Sequence, residues 1–503
     1  MNTTTLPATV AAPAVPELLS APHLVDVAQP GMAGLAQCLA ECGADVTGSI
    51  RPDEADSNAV QQLTAAGVRI RVGFAADHVT SDRTAVIWSG VTVEPQPELD
   101  RAQETLLPIL ARADALVLLG AEGGRELVAV GGSHSTTTAA AVLATVLADD
   151  GSGWILTTPP RGLPAGRGGA RRLVLDVGPD TQTHEAPPPD AWRNRTARRH
   201  LPPDAARFAA VLITATVASA PHYEDNVAGL DATERLARSS DIVVAPTWVK
   251  EVTLLRERLA DRPGPRIVTV GYGEDVDIRI LGLLWSGEHY RITLEHALRR
   301  CQFELGMPGR HNALAALGAV ATALVLGVPG EEITERLCHF KGVGRSLTVL
   351  GTRAGVTVVE SRARHPQEIT EDLQAARLLT EGSVIAVLEP DGYARTAGHA
   401  AELGAALGEA DQAVLLPISS PLTTVHVQDP LDAVLAAARE ELLHDVVHRP
   451  RPGPCEQSPE ALLDEITLPG DLIVVIGTGD AVALGPRVLS RLATAPQSTG
   501  VSR

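Results

Sequence analysis

The sequence predicts an α/β protein made of three successive parallel-sheet domains, and three observations predict it. Short apolar runs of strand length alternate with helix-length segments along most of the chain, the pattern of a parallel sheet with helical crossovers. Small-residue turns follow directly on several of those runs, as at Gly31–Gly34 and Gly131–Ser135. The 503 residues, 45% of them hydrophobic, supply apolar side chains for about three cores of ordinary size.

Residues 1–20 read as a flexible lead, and no basic stretch precedes their mild apolar run, so a secretory signal is not expected. The first domain, 21–122, opens with a strand at His23–Val27, the turn at 31–34 and a helix Leu35–Glu41 ending near Gly43. Strands at Ala44–Thr47, Val68–Val72 and Ala85–Trp88 follow, with a helix from Pro97 to Leu106. The second domain, 123–328, restarts the pattern with a strand Leu127–Val130, a tight loop and a helix Thr136–Leu147. Its further strands are Leu173–Asp176, Ala209–Thr214, Asp241–Ala245 and Ile267–Tyr272. The stretch 158–205 is rich in Pro, Gly and Arg and reads as loops around a single strand. An Ala/Leu-rich helix runs from about 312 to Leu326. The third domain, 329–493, has strands near Val356–Glu360, Ser383–Leu388, Ala413–Pro417 and Asp471–Gly477. A small, polar tail, 494–503, closes the chain.

The formal charge of −19 excludes general binding to nucleic acid or to an anionic membrane surface. No apolar run approaches the roughly 20 residues that span a bilayer. Cys38, Cys42, Cys301, Cys338 and Cys455 have no metal-ligand spacing, and reduced thiols are expected. Lysine occurs only at Lys250 and Lys341, so none lies in the first 249 residues.

Seven glycine-bearing or polar runs carry candidate chemistry. They are Gly31-Met-Ala-Gly34 with Gly48-Ser49, then Gly132-Ser-His-Ser-Thr-Thr-Thr138, then Gly309-Arg-His-Asn312. Phe340-Lys-Gly-Val343 with Arg345 follows, then Val358-Val-Glu-Ser-Arg-Ala-Arg-His-Pro366 and Pro390-Asp-Gly-Tyr-Ala-Arg-Thr396. Pro469-Gly-Asp-Leu472, leading to Gly477-Thr-Gly-Asp480, is the last. Each alone is a common turn. In this order and spacing the chain resembles the alanine-adding members of the Mur ligase family over nearly its whole length.

That resemblance implies a Rossmann-like N-terminal domain of UDP-sugar type, a P-loop-type central ATPase domain and a Rossmann-like C-terminal domain that receives the amino acid. It implies a cytoplasmic role in peptidoglycan precursor synthesis, with ATP and Mg²⁺ as cofactors. In the family, ATP phosphorylates a carboxylate and an amine then attacks the acyl phosphate to form an amide. Carried over by position, Gly132, Ser133, His134, Ser135, Thr136, Thr137, Thr138, His311, Asn312 and Arg345 are the cofactor-binding candidates. Gly31, Gly34, Ser49, His365, Tyr393 and Arg395 are the substrate-binding candidates, and Thr137 is a vestigial metal ligand.

The residues themselves depart from that chemistry. A glycine loop at a helix N-terminus binds phosphate through converging N–H groups. The family's lysine adds a cation for the transferred phosphoryl. Thr136 stands at the lysine position and Ser135 at a glycine position. The loop therefore either keeps weak anion binding or survives as a structural turn. Of the family's metal acids, Asp176 and Asp180 remain, and the later acidic motif has become Thr214-Ala-Thr-Val-Ala-Ser-Ala220. His222 and Tyr223 follow it as packing residues. In the first loop, Pro30 lacks an amide donor and Asp26 places a carboxylate near any bound anion. In the third domain, His365, Pro366, Tyr393, Arg395 and Thr396 persist while their acidic and histidine companions are lost. They are either structural or a reshaped small-ligand pocket. His311 and Asn312 either face an adenine or start a helix. Arginines at 161–172 and 193–200 offer a replacement cation or a solvated loop. The expectation is a catalytically impaired member acting through contact with cell-wall synthesis enzymes. An active divergent acid–amino-acid ligase and a small-molecule sensor are the alternatives, with no nucleic-acid or membrane-spanning role.

Overall fold

A computed structural model of the protein describes residues 15–29, 31–89, 96–121, 124–132, 135–177, 207–214, 226–249, 252–260, 264–418, 430–442, 447–448 and 458–494. The expected α/β class holds, with three parallel-rich sheets in sequence order.

The first sheet contains β1 (Pro22–Leu24), β2 (Thr47–Ile50), β3 (Arg69–Val72), β4 (Ala85–Trp88) and β5 (Ile109–Ala111). Its order is β3-β2-β1-β4-β5, with every pair parallel. β1 stops at Leu24, short of the expected Val27, because Asp26 takes a left-handed φ of 53° that a strand does not tolerate. The following helix, Met32–Glu41, starts three residues before Leu35 because Gly31, at φ 81°, turns the chain into it. The expected lead is docked by its end: Glu17–Leu19 form a helical turn and Leu19 is fully buried.

The second sheet contains β6 (Glu126–Gly131), β7 (Gly153–Ile155), β8 (Gly166–Arg167), β9 (Arg172–Val177), β10 (Phe208–Ile213), β11 (Ser240–Pro246) and β12 (Arg266–Gly271). β13 (Ile278–Trp285), β14 (Tyr290–His296) and β15 (Arg299–Leu305) extend one edge. The full order is β15-β14-β13-β12-β11-β10-β6-β9-β7-β8. The last three strands by sequence were not anticipated. Arginines and glutamates break their apolar runs, and β15 alternates exposed with buried positions, as a strand with one wet face does.

The third sheet runs β16-β17-β21-β18-β19-β20. Its strands are β16 (Thr348–Arg353), β17 (Val356–Ser361), β18 (Val384–Leu388), β19 (Gln412–Leu415), β20 (Val447–His448) and β21 (Leu472–Ile476). Only β16–β17 is an antiparallel pair.

The chain divides into two compact units. One comprises Met1–Leu284, Arg291–Leu305 and Leu314–Lys341; the other comprises Trp285–Tyr290, Gly306–Ala313 and Gly342–Arg503. The first two sheets share the first unit and one apolar cluster, which joins Leu24, Leu35 and Leu39 to Leu127, Leu175 and Val211. Their junction is helix Met32–Glu41 against the β7–β8 hairpin. Gln37 Oε1 accepts the N–H of Gly166 at 2.8 Å, and Glu41 Oε2 accepts that of Gly168 at 2.8 Å.

Candidate functional site

Strand register assembles the centre of the first unit. β6 lies between β9 and β10 and pairs Val130 with Asp176 and Gly131 with Ile213. The Gly132 turn, Asp176 and Thr214 therefore meet at the C-terminal edge of one parallel sheet, where α/β proteins place ligands. Thr214 confirms the closeness: its N–H and Oγ1 both donate to the carbonyl of Gly131, at 2.9 and 3.3 Å.

The phosphate-type loop is described at its two ends, Gly132 and Ser135. Gly132 has φ 152°, and Ser135, at φ 62°, forms the left-handed N-cap of helix Thr136–Val146. A glycine would hold that conformation without the Cβ penalty of about 1 kcal/mol. Thr136, in the lysine position, is 4% exposed and Thr138 is also buried, while Thr137 is half-buried. Ser133 and His134 lie outside the described residues.

Asp176 is fully buried. Its Oδ2 accepts the Thr157 N–H at 3.2 Å, and its Oδ1 has no partner. Asp180, residues 215–225 and the arginines at 193–200 lie outside the described residues. Among the described residues, no cluster of three His, Cys, Asp or Glu side chains exists to hold a metal. Asp176 and Thr137 do not make a protein-built Mg²⁺ octahedron.

The first loop departs from a ligand cradle. A Cβ on Gly34 would stand 2.8 Å from the carbonyl oxygens of Ala165 and Leu156, so the glycine serves packing against the hairpin. Ser49 is buried, donating to Glu98 Oε2 at 2.8 Å and accepting the Asp26 N–H at 3.3 Å. Gly31 keeps its turn, with the buried Arg112 guanidinium 2.8 Å from where its Cβ would be. Arg112 Nη2 reaches the Asp176 carbonyl at 3.5 Å. Beneath the loop, His23 and His78 both contact Glu98 Oε1, at 3.4 and 2.8 Å. Burial opposes ionisation of Glu98, but hydrogen bonds from His23, Ser49 and His78 prevail and hold its pKa below the usual value.

Asp26 is pushed up to about 6, first by burial and then by the charge of Glu54. A carboxyl whose folded pKa exceeds its unfolded 3.8 favours the fold while protonated, and that advantage is lost as pH rises through about 6. Asp26→Asn removes this loss. Its melting temperature relative to the natural chain is therefore expected to rise between about pH 5 and pH 7.5, as thermal denaturation at both values would read. A constant difference would contradict it.

In the second unit the candidates fall into three groups. His311, in the first turn of helix Arg310–Val325, places Nε2 3.3 Å from Asp372 Oδ1, and Ser361 donates to the other oxygen. Asn312 is buried and its side-chain amide donates to the Pro308 carbonyl at 2.9 Å. Arg345, at φ 56°, directs Nη2 to the Gly477 carbonyl and Nε to Glu360 Oε2 at 3.5 Å. Burial lowers its pKa from the ordinary arginine value. His365 is the N-cap of helix Pro366–Ala376, with Nδ1 accepting the Gln367 N–H at 3.3 Å.

Tyr393 opens the short helix Tyr393–Gly398, and Arg395 Nη1 binds Asp391 Oδ2 at 2.6 Å. Arg364, Glu389, Asp391, Arg395, Thr396 and His399 contribute to the lining of a small polar pocket there. Glu389, which the sequence reading missed, accepts the N–H groups of Gly479, Asp480 and Ala481 at 3.2, 3.0 and 2.8 Å. The chain's own carboxylate thus occupies the N-terminus of helix Ala481–Thr494, where an anion would otherwise bind.

Burial works against a charged His311, but Asp372 overcomes it and the pKa is raised above 6.5. The pair's stabilisation is therefore complete below pH 6.5 and fades as pH rises through the folded value. Asp372→Asn is expected to cost about 3 kcal/mol near pH 6 and distinctly less near pH 9, measured by denaturant unfolding of the natural chain and the variant. A cost independent of pH would contradict the assignment.

Residues 23–122 match the family model described as "Mur ligase family, catalytic domain". A UDP-N-acetylmuramate–L-alanine ligase of Streptomyces avermitilis is 30% identical over 487 residues, spanning 96% of this chain and 99% of the relative. The one of Clavibacter michiganensis is 31% identical over 500 residues, spanning 97% and 98%. Among solved structures, UDP-N-acetylmuramate–alanine ligase of Thermotoga maritima matches with a TM-score of 0.71 at 21% identity, covering 93% of this chain and 98% of that one. No helix among the described residues is long and apolar enough to cross a membrane.

Proposed function

Because this chain belongs to the Mur ligase family, we propose that it is a member whose ATP chemistry has been lost, acting in peptidoglycan precursor synthesis through contact with other cell-wall enzymes. One observation carries the reading. The phosphate-type loop keeps its flanking strand and helix, yet a buried Thr136 replaces the cation, and no lysine occurs before Lys250. A hydroxyl cannot neutralise a migrating phosphoryl group. The carboxylate of Glu389 at a second helix N-terminus, and the packing duties of Gly34 and Ser49, support the same reading. The expected result with ATP, Mg²⁺, UDP-N-acetylmuramate and L-alanine is no amide product and no ADP. Product formed in proportion to enzyme would end the proposal.

The alternative is an active divergent ligase that joins a muramyl or other carboxylate to an amino acid. Asp176 Oδ1 favours it, because a buried carboxylate oxygen without a partner beside the loop is suited to a cation brought with a nucleotide. Under that alternative Asp176→Asn abolishes the activity that the natural chain shows. A small-molecule sensor using the pocket at Arg395 and His399 instead predicts ligand-dependent thermal stabilisation without turnover.

A further inference from the structure

The junction of the first two sheets holds a pair of thiols beside a buried arginine. Cys38 is fully buried and Cys42, at the C-cap of helix Met32–Glu41, is 8% exposed. Arg125 is 6% exposed, and its Nη2 donates to Cys42 Sγ at 3.6 Å. Among the described residues, the Nε and Nη1 groups of Arg125 have no hydrogen-bond partner. The nearby Glu41 directs Oε2 to the Gly168 N–H instead. A guanidinium cannot shed its proton, so a buried one requires an anion within reach. The thiol it touches is the group able to become one.

We propose that Cys42 and Cys38 form a thiol pair that small hydroperoxides oxidise to a disulfide, with Arg125 holding Cys42 as the attacking group. The chemistry balances in two steps. The Cys42 sulfur attacks the terminal peroxide oxygen, forming a sulfenic acid and releasing hydroxide or alkoxide, which water protonates. The Cys38 thiol then displaces water from that sulfenic acid, and the two sulfurs have delivered two electrons to the peroxide. A helical spacing of four residues rises about 6 Å, within the Cα separation a disulfide bridges, but its Cβ atoms lie about 5–6 Å apart, so closure requires the last turn to tighten. Gly43, at φ 92°, follows Cys42, so the closing turn sits where the helix already ends.

Electrostatics supports this division of labour. The neighbouring Cys38 thiol opposes the effect of burial, and with the Arg125 charge it lowers the Cys42 pKa to about 6. The Cys38 thiol is held well above its ordinary value, by the neighbouring Cys42 and by burial, and remains the proton-bearing partner. A consequence for the fold follows from position: a Cβ on Gly168 of the hairpin would stand 3.1 Å from Cys42 Sγ. Oxidation therefore acts on the seam between the first two sheets.

The test uses the full-length chain treated with hydrogen peroxide at neutral pH, blocked with an alkylating agent in denaturant and digested. Trypsin spares the Arg51–Pro52 bond and cuts first at Arg69, so both thiols travel in one peptide that contains no other cysteine. The expected product is that peptide lighter by two hydrogens, formed before the exposed Cys338 reacts. Cys38→Ser is expected to leave Cys42 as a sulfenic acid that dimedone captures. Arg125→Gln is expected to slow oxidation about tenfold, while Arg125→Lys retains most of the rate. Should Arg125→Gln not fold, the pH profile of peroxide oxidation in the natural chain decides the matter, with half-maximum expected well below that of an ordinary thiol. An ordinary thiol profile, or oxidation of Cys338 with the Met1–Arg69 peptide unchanged, would overturn the proposal.

Discussion

The double variant Ser135→Gly/Thr136→Lys is expected to bind ATP with Mg²⁺ at least about tenfold more tightly than the natural chain, since a charge-assisted contact to phosphate contributes about 1.5–3 kcal/mol. The two changes act differently. Glycine at 135 relieves a residue already held at φ 62° and should stabilise the fold by about 1 kcal/mol. Lysine at 136 restores the cation at the start of helix Thr136–Val146. Turnover is not expected to return with binding, because among the described residues no group of three His, Cys, Asp or Glu side chains stands ready to hold Mg²⁺. Calorimetric titration of both proteins measures the difference. Equal affinity would show that the natural loop already has what it needs.

Gly166→Ala is expected to destabilise the first compact unit by more than about 3 kcal/mol, because the overpacking is against backbone on both sides. A Cβ at Gly166 would sit 1.7 Å from the Gly34 carbonyl oxygen and 2.9 Å from the Cys38 nitrogen. Neither atom belongs to a side chain able to swing aside. The effect should appear as a lower first unfolding transition, with faster amide exchange along helix Met32–Glu41 and the β7–β8 hairpin. Gly43→Ala is the comparison. Gly43 has nothing within 4 Å of its Cβ position, so only its φ of 92° is strained and a loss of about 1 kcal/mol is expected. Similar losses in the two variants would show that the junction is loosely packed.

Much of the fold was legible because strand and turn signals coincide in this sequence. β4 lies where the apolar run Ala85–Trp88 placed it, and β6, β9, β10, β11 and β12 lie within two residues of their expected ends. β13–β15 were not legible, since charged residues interrupt them and their partner strands are chosen by tertiary pairing. The hairpin strand β8 has only two residues, both inside a Gly/Arg-rich stretch that composition assigns to loop.

At the site, the sequence located the loop but not its neighbours. Gly132, Ser135 and Asp176 were named through motif position, and Ser135, at a glycine position, takes a left-handed φ of 62°. Gly34 and Ser49 show the limit of motif reading. A glycine required for close approach looks the same in sequence whether the approaching atoms belong to a ligand or, as at Gly34, to Ala165 and Leu156. Asp372, Glu389, Arg112 and Arg125 were invisible for another reason. Each acts on a residue far away in the chain, as Glu389 does on Gly479–Ala481 and Arg125 on Cys42, and only strand register and packing reveal such pairs.

The most direct test of a retained scaffold without ATP chemistry is calorimetric titration of the natural chain with ATP, with and without Mg²⁺. The result expected is no saturable binding through the millimolar range and no change when Mg²⁺ is added. Saturable micromolar binding that depends on Mg²⁺ would contradict it, and would identify Asp176 and the Thr136 loop as a working nucleotide site.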